Sequence, residues 1–198
     1  IPIMKMKSIA VFCGSSNGTK DLYYEQALNL GKKLAHLEID VIYGGSNAGL
    51  MGAVANGALS EGGKVIGVIP EFLVDKELAH DEITELILVK SMHERKSKMN
   101  ELCDGVIALP GGYGTLDELF EMLTWGQLGL HKKPVALYNI HGYYDALINL
   151  IQHMVMSGFL KESNQQMLLI NEDLDALLNE MNEYVAPEVE KWLNRSRS

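Results

Sequence analysis

Residues 105–121, GVIALPGGYGTLDELFE, lead from a short apolar run through a glycine cluster into an amphipathic pattern. The apolar run at 105–109 is rich in branched side chains and has turn residues on both sides. Such a run predicts a buried parallel strand. Beyond the glycines, apolar side chains recur at helical spacing at Leu116, Leu119, Phe120, Leu123 and Leu128. The stretch therefore predicts a strand, a glycine turn and a helix in succession.

The glycine turn at 111–114 allows two interpretations. In the first it is a plain tight turn, and Thr115 and Glu118 form a capping box at the start of the helix. In the second it is an anion site, because a turn entering a helix presents backbone N–H groups without intrahelical acceptors. Three glycines in four positions exceed what a plain turn needs, and the adjacent carboxylates of Asp117 and Glu118 indicate that one of them serves another group. The anion site is favoured, and a capping role for Thr115 is compatible with it.

Length and composition are those of an ordinary globular protein. The 198 residues, 47% hydrophobic and 22% charged, predict one nucleotide-binding α/β domain over 1–198, with a loosely ordered tail from about residue 187. A formal net charge of −9 argues against a nucleic-acid partner. The first apolar run is too short for a signal peptide or a membrane span, and Cys13 and Cys103 are expected to be buried free thiols. We therefore expect a cytoplasmic protein that binds neither membrane nor nucleic acid.

Strands and helices alternate along the chain. Strands are predicted at 9–13, 41–43, 65–69, 87–89, 105–109, 134–138 and 168–170. Helices are predicted at 21–37, 50–59, 92–102, after the glycines at 111–114, at 143–157, and from 173 until Ala186-Pro187. Residues 71–81 show no period and are a candidate lid or binding loop. This alternation predicts an α/β fold, a doubly wound, Rossmann-like parallel sheet of about seven strands with helices on both faces.

Small residues follow three of the predicted strands, in the loops Gly14-Ser15-Ser16, Gly44-Gly45 and Gly111-Gly112. Ligands of doubly wound sheets bind outside the carboxyl ends of the strands, so all three loops are expected at the ligand edge. Glycine there lets a nucleotide lie close to the backbone. The glycine spacings match neither the dinucleotide fingerprint nor the P-loop. A mononucleotide bound without metal is therefore the favoured ligand.

A basic cluster at 93–98 is exceptional in this acidic chain and opens a helix just after a strand. A solvated helix face is the ordinary interpretation of such a cluster. Its position near the ligand edge favours a functional one, since Arg95 offers a planar charged fork to a phosphate or a purine. The histidines have no metal-ligand spacing, so neither metal nor cofactor is expected. Residues 131–133, HKK, lie at the opposite edge and are interpreted as charge complementing a helix end.

Aromatic and apolar positions outside these motifs are interpreted structurally. Trp125, Tyr143 and Tyr144 are expected in the core or at an interface rather than in catalysis. The helices at 119–130 and 147–156 are candidates for a subunit contact, because the apolar face of the second includes Met154 and Met156.

Two motifs resemble those of the LOG family, the cytokinin riboside 5'-monophosphate phosphoribohydrolases. Residues 110–118, PGGYGTLDE, resemble its P-G-G-x-G-T-x-x-E motif. Residues 92–96, MHERK, resemble its second motif, and residues 124–129, TWGQLG, resemble the continuation of the family pattern. The loops at 13–16 and 43–45 also match, and the likeness covers roughly residues 8 to 170. Asp117 departs from the family, where glutamate is common, and the shorter acid should leave the chemistry unchanged.

The resemblance implies a cofactor-independent step of cytokinin biosynthesis. The N-glycosidic bond of a nucleoside 5'-monophosphate, such as AMP or isopentenyladenosine monophosphate, would be hydrolysed to free base and ribose 5-phosphate. It also implies a homodimer with its sites near the subunit interface. Arg95 and Glu118 would be the catalytic pair, and Glu121 is expected to support Arg95 or the sugar. Substrate contacts are expected at Ser15, Gly44, Gly45, Glu77, Met92, Arg95, Lys96, Gly111, Gly112, Tyr113, Gly114, Thr115, Leu116, Asp117, Glu118, Glu121 and Thr124.

Two alternatives remain at this point. One is a nucleotide-binding or carrier module that has the same sheet and no turnover. The other follows the label "lysine decarboxylase" that much of the family long carried. It is weaker, because no candidate lysine for that chemistry is expected to face the ligand edge.

Overall fold

A computed structural model describes residues 5–76 and 78–188 of the chain. Its strands are β1 Ser8–Phe12, β2 Asp40–Tyr43, β3 Val65–Pro70, β4 Glu85–Val89, β5 Gly105–Ala108, β6 Val135–Tyr138 and β7 Leu168–Asn171. Its helices are α1 Asp21–His36, α2 Gly49–Ser60, α3 Met92–Leu102, α4 Tyr113–Gln127, α5 Asp145–Met156, α6 Glu162–Gln165 and α7 Leu174–Glu183, with 3-10 turns at Glu71–Leu73 and Ile140–Gly142. The strands form one parallel seven-stranded sheet in the order β4-β3-β2-β1-β5-β6-β7. The predicted fold class is therefore confirmed.

Both faces of the sheet are covered by helices. Side chains of β1 alternate between them: Ile9 and Val11 pack with α1, α2 and α7, whereas Ala10 and Phe12 pack with α3, α4 and α5. Because successive strand residues point to opposite faces, a strand buried on both sides must be apolar throughout. This explains why the sequence shows short continuous apolar runs instead of strict alternation.

The chain reverses its direction across the sheet at β1, which lies between β2 and β5. The connections from β1 through β4 move outward on one side, and those from β5 through β7 move outward on the other. Such a switch point opens a crevice at the carboxyl ends of the two central strands. The loops that follow β1 and β5 are therefore brought together at the mouth of this crevice.

Several boundaries differ from the sequence-based prediction. The helix after the glycines begins at Tyr113, so Thr115 lies within its first turn, and Gly112 is the N-cap residue. The capping-box interpretation, which needs Thr115 itself as the N-cap, is therefore wrong. The last helix ends at Glu183, before Pro187, and α5 begins at Asp145, after a 3-10 turn. The short helix α6 has too few residues to show a period, and the sequence did not predict it.

Residues 71–84 join β3 to β4, and their described part, 71–76 and 78–84, contains no helix longer than the turn Glu71–Leu73. They are tied to the loop after β2 by an antiparallel bridge between Ser46 and Ala79 and by the bond from His80 N–H to Gly45 O, 2.8 Å. The expected Glu77 contact lies outside the described residues, as does the tail beyond residue 188. Within the part that the structure describes, no helix has the length and apolar character needed to cross a membrane.

Candidate active site at the switch-point crevice

The loops after β1 and β5 are in direct contact. Gly14 N–H donates to Pro110 O at 3.0 Å, and a Cβ added to Gly14 would lie 3.4 Å from Gly111 Cα. The start of α2 completes this arrangement, because Leu50 N–H donates to Gly14 O at 3.1 Å and Gly49 packs against the backbone of the β1 loop. Gly49 has φ of +59°, and a Cβ there would overlap Ser15. The three segments pack together as one wall of the crevice, with the Ser15 side chain exposed.

The N-terminus of α4 faces open space. The first helical bond runs from Leu116 N–H to Gly112 O at 3.1 Å, and the N–H groups before it have no intrahelical acceptor. A Cβ added to Gly112 or Gly114 would meet no atom within 4 Å, and neither residue has positive φ. The fold itself would therefore accept alanine at both positions. Gly111 differs, because a Cβ there would overlap Thr115.

Glu118 lies one turn into α4, half-buried, in the same helix as the buried Thr115 and Leu119. Its carboxylate is close enough to β1 to act on Cys13: burial first, and the Glu118 charge second, raise the pKa of the Cys13 thiol. Cys13 therefore stays a neutral thiol and is a poor nucleophile. The carboxylate of Glu118 is the group at this point of the crevice that is suited to stabilise positive charge.

Arg95, on the first turn of α3, is buried, with 4% of its surface exposed. Its Nη2 donates to Gly44 O at 2.7 Å and its Nε to Val68 O at 3.0 Å, and Met92 Sδ lies 3.8 Å from Nη1. A Cβ on Gly44 would overlap the guanidinium, which explains the glycine at that position. Gly44 and Gly45 are themselves buried, so their contribution here is to hold Arg95 and the adjacent backbone.

A second depression, the α4 groove, runs along the outer side of α4. Lys96 lies in it with its Nζ 2.5 Å from Glu121 Oε2 and 3.1 Å from Asp117 Oδ2. The bond to Glu121 is the main reason that the pKa of Lys96 is raised, with Asp117 adding to it and burial opposing it. The groove is lined by Lys96, Tyr113, Leu116, Asp117, Phe120, Glu121, Thr124 and Trp125.

The predicted site residues are thus distributed over adjoining places. The groove is lined by Lys96, Tyr113, Leu116, Asp117, Glu121 and Thr124. The loops and helix start at the crevice carry Ser15, Gly111, Gly112, Gly114 and Glu118, whereas Thr115 is buried against Gly111. Met92, exposed at the start of α3, contacts Arg95. Glu121, expected to support Arg95 or the sugar, is instead paired with Lys96.

Two tyrosines at this edge were assigned a structural role from the sequence. Tyr144 is buried, as expected, and donates its hydroxyl to Leu109 O at 2.5 Å. Tyr143 remains 43% exposed and donates its hydroxyl to Gly111 O at 2.7 Å. The sequence signal that could have placed them near the site was their position after β6, because residues that follow a strand lie at the ligand edge. No motif marks them.

The basic residues before β6 lie at the opposite, amino-terminal edge of the sheet. His131 Nε2 lies 2.8 Å from Met122 O in α4, and Lys133 Nζ donates to Asn100 O near the end of α3. A cation at a helix C-terminus is favourable to the helix dipole. The interpretation as helix-end charge therefore holds for Lys133 at the end of α3. It does not hold for His131, because burial lowers the pKa of its ring and favours the neutral form.

Comparisons with known proteins find relatives over most of the chain. Residues 51–181 match the family model described as "Possible lysine decarboxylase". The chain is 44% identical over 189 residues to cytokinin riboside 5'-monophosphate phosphoribohydrolase LOG of Oryza sativa subsp. japonica, covering 96% of this chain and 78% of that protein. It is 42% identical over 181 residues to LOG2 of Arabidopsis thaliana, which carries the same enzyme name, covering 91% and 85%. The molybdenum cofactor carrier protein of Chlamydomonas reinhardtii superposes with a TM-score of 0.67 over 88% of this chain and 95% of that one, at 19% identity. That likeness concerns the fold alone.

Proposed function

The chain belongs to the LOG family, and from that premise we propose that it hydrolyses the N-glycosidic bond of nucleoside 5'-monophosphates to free base and ribose 5-phosphate. The relatives that match over most of the chain are named as phosphoribohydrolases. The observation that carries the proposal is the placement of Glu118 in the helix whose open N-terminus enters the crevice. Such a site combines backbone N–H groups that can hold a phosphate with a protein carboxylate that can face the sugar.

Glu118 would stabilise the reacting sugar. Cleavage of an N-glycosidic bond develops positive charge on the anomeric carbon, and a fixed carboxylate lowers the energy of that state and can orient the attacking water. The carboxylate is preorganised because α4 is packed into the core through Leu119 and Met122. Water adds to the anomeric carbon as the bond to the base nitrogen breaks, and the base leaves with a proton.

The open end of α4 would hold the 5'-phosphate. The N–H groups of residues 112–115 and the helix dipole favour an anion there. The absence of a side chain on Gly112 and Gly114 lets that anion approach the backbone. Binding the remote phosphate fixes the sugar relative to Glu118, and such positioning supplies much of the rate gain in reactions of this kind.

Arg95 would contribute through its permanent charge. Two backbone carbonyls, Gly44 O and Val68 O, fix its guanidinium beside the loop that follows β2. A buried cation held in this way favours the negative charge that develops on the departing base. Because the arginine is already hydrogen-bonded to the backbone, it has a structural function as well.

The decarboxylase alternative is not favoured by Lys96, although this lysine lies at the ligand edge, where no candidate was expected. A Schiff-base lysine reacts as a neutral amine and is activated by a lowered pKa. Lys96 has the opposite environment, since Glu121 and Asp117 raise its pKa. It is held as an ammonium ion, which suits the binding of an anion.

Incubation of the purified protein with AMP and with isopentenyladenosine monophosphate tests the proposal and compares the two bases. We expect free base and ribose 5-phosphate in equal amounts, measured by chromatography. Absence of product from both nucleotides, with binding retained in calorimetry, would favour a carrier without turnover.

Glu118→Gln should lower kcat by roughly 10²- to 10³-fold with KM little changed. Glu101→Gln, at an exposed position in α3, is the matched control and should behave as the parent.

We also propose that the protein is a homodimer. Several apolar side chains on or beside α5 are exposed, among them Leu150, Met156 and Phe159. A cluster of this kind is typical of a subunit contact. Sedimentation velocity should give twice the monomer mass, and Met156→Glu should shift the distribution towards monomer. A parent protein that sediments as a monomer at micromolar concentration would contradict this part of the proposal.

Expectations about compartment and partners belong to the same proposal. Cys13 and Cys103 are both buried free thiols, which supports a reducing, cytoplasmic compartment. The net charge of −9 disfavours nucleic acid as a partner. Detection of the native protein in subcellular fractions would test the location directly.

A further inference from the structure

Three consecutive backbone carbonyls at the exit of β5 each accept a hydrogen bond from outside this segment, two from the adjacent tyrosines after β6 and one from the loop after β1. Leu109 O accepts from the Tyr144 hydroxyl at 2.5 Å, Pro110 O from Gly14 N–H at 3.0 Å, and Gly111 O from the Tyr143 hydroxyl at 2.7 Å. These bonds fix every peptide plane between the strand and the first residue of the glycine turn. The turn is therefore held from outside before α4 begins.

The third of these bonds has a direct consequence for the anion site. The carbonyl of Gly111 and the N–H of Gly112 belong to one planar, trans peptide unit and point in opposite directions. By holding Gly111 O, the Tyr143 hydroxyl fixes the direction of the Gly112 N–H, which points away from the tyrosine. Gly112 is exposed, and its surroundings are open.

Tyr143 is itself held in place despite its exposure. Its ring makes edge contacts with Tyr23 of α1, centroids 5.8 Å apart, and with Tyr144, centroids 4.8 Å apart. The turn that delivers it is closed by Asn139, whose side chain accepts from Tyr144 N–H and donates to Asp145 Oδ1, each at 2.8 Å. Two left-handed residues, His141 and Gly142, complete the turn. The hydroxyl is thus placed by a rigid support.

We propose that Tyr143 is a positioning residue of the phosphate site, which acts by aiming the Gly112 N–H at the 5'-phosphate. The inference rests on the proposed function and adds a residue to it from outside the family motifs. In this role Tyr143 acts through the Gly111–Gly112 peptide and not on the reacting bond. Its loss should therefore weaken the binding of ligands that carry a phosphate, and leave binding of the base and sugar unchanged.

The test is Tyr143→Phe, which keeps both ring contacts and removes only the hydroxyl. Calorimetry with ribose 5-phosphate should show affinity lower by about five-fold, the size expected for one hydrogen bond. KM for the nucleoside monophosphate should rise by a similar factor, with kcat within about two-fold of the parent. Binding of adenosine, which lacks the phosphate, should not change.

Tyr138→Phe is the matched control, because it removes a hydroxyl that bonds to Gln26 Oε1 at 2.7 Å in another part of the chain. It should leave the affinity for ribose 5-phosphate unchanged. Equal affinity for ribose 5-phosphate in Tyr143→Phe and the parent would overturn the inference, and so would equal weakening of ribose 5-phosphate and adenosine. A parent that binds ribose 5-phosphate but cleaves no nucleotide would refute the proposed function and leave the Tyr143 test intact.

Discussion

Lys96 and Glu121 form an ion pair of 2.5 Å across the α4 groove, between side chains that are 17% and 19% exposed. The pair joins α3 to α4 and sets one cation against two carboxylates, since Asp117 lies 3.1 Å from the same ammonium. Its consequence for an anionic substrate is simple. Under the proposed function the lysine attracts the anionic nucleotide, and without it the two carboxylates would repel that nucleotide.

Lys96→Met should therefore raise KM for a nucleoside monophosphate by about ten-fold, equivalent to about 1.4 kcal/mol, with a smaller effect on kcat. Steady-state kinetics at low and high salt would check this, because screening should reduce the difference. Lys98→Met, which removes the Lys98–Glu101 surface pair, should leave KM unchanged.

The pKa of Lys96 is raised above 10.5, so its ion pairs persist below that pH and are lost as the pH rises through the folded-state pKa.

The glycines of the turn should separate into two classes on substitution. Gly114→Ala has open space for its methyl group and a negative φ, so the fold should be retained or gain up to about 1 kcal/mol. The methyl group would then occupy the approach to the backbone N–H groups, and affinity for ribose 5-phosphate should fall by about ten-fold or more. Thermal unfolding and calorimetry on one preparation would check both parts.

Gly111→Ala is the comparison for Gly114→Ala. The added Cβ would overlap the Thr115 side chain, and such overpacking costs about 1–3 kcal/mol. Its melting temperature should fall clearly. If both variants lose stability equally, the open space at Gly114 is not available in solution.

Arg95→Met should lower stability as well as activity. Removing the guanidinium would leave Gly44 O and Val68 O without their donors, at about 1–3 kcal/mol for each buried acceptor. Glu118→Gln, by comparison, should lower activity with little change in melting temperature. Thermal unfolding of the two variants side by side would show the difference. Equal stability of Arg95→Met and the parent would contradict the structural part of its role.

The sequence predicted the sheet well because short apolar runs alternating with helical patterns leave few topologies open. It predicted that the glycine turn opens a helix, which the structure confirms, and the anion site at that turn remains a prediction. The capping-box interpretation of Thr115 failed, because Thr115-x-x-Glu118 satisfies that pattern locally whichever residue caps the helix. In the structure the Thr115 side chain instead lies against Gly111, a contact that the spacing does not reveal.

The contacts of Tyr143 and Arg95 illustrate why other parts were not predictable. Both side chains bond to backbone carbonyls distant in sequence: Gly111 O lies 32 residues from Tyr143, and Gly44 O lies 51 residues from Arg95. Every residue carries a backbone carbonyl, whatever its side chain, so no residue pattern reveals such a bond. The sequence could place Arg95 near the ligand edge, but not its burial beneath the loop that follows β2.

His131 should make stability depend on pH. Burial is the main cause that lowers its pKa, with Lys133 acting in the same direction and the bond to Met122 O opposing them. The folded state therefore favours neutral histidine, and stability is lost as the pH falls from about 6.5 through the lower pKa of the folded state. Melting temperatures of the parent at pH 8.0 and 5.5 should differ more than those of His131→Asn. The exposed His153, changed to Asn, should give the parental difference.

His80 should control how firmly residues 71–84 are held over the ligand edge. Its buried ring lies between Asn56 Oδ1, 2.9 Å from Nε2, and Glu82 N–H, which donates to Nδ1 at 3.2 Å. Because Nδ1 is the acceptor, the neutral ring donates through Nε2. In His80→Leu both bonds are lost, so amide exchange at residues 78–84 should accelerate by about ten-fold or more.

Hydrogen exchange measured by mass spectrometry would test the His80 prediction, with His153→Leu as the control at an exposed position. Exchange in β1 and β5 should stay at the parental rate, because these strands do not depend on the bridge between Ser46 and Ala79. KM for the nucleoside monophosphate should rise if the segment contributes to the site. Uniform acceleration across the sheet would instead mean that His80 stabilises the whole fold, and would refute the specific attachment of residues 71–84.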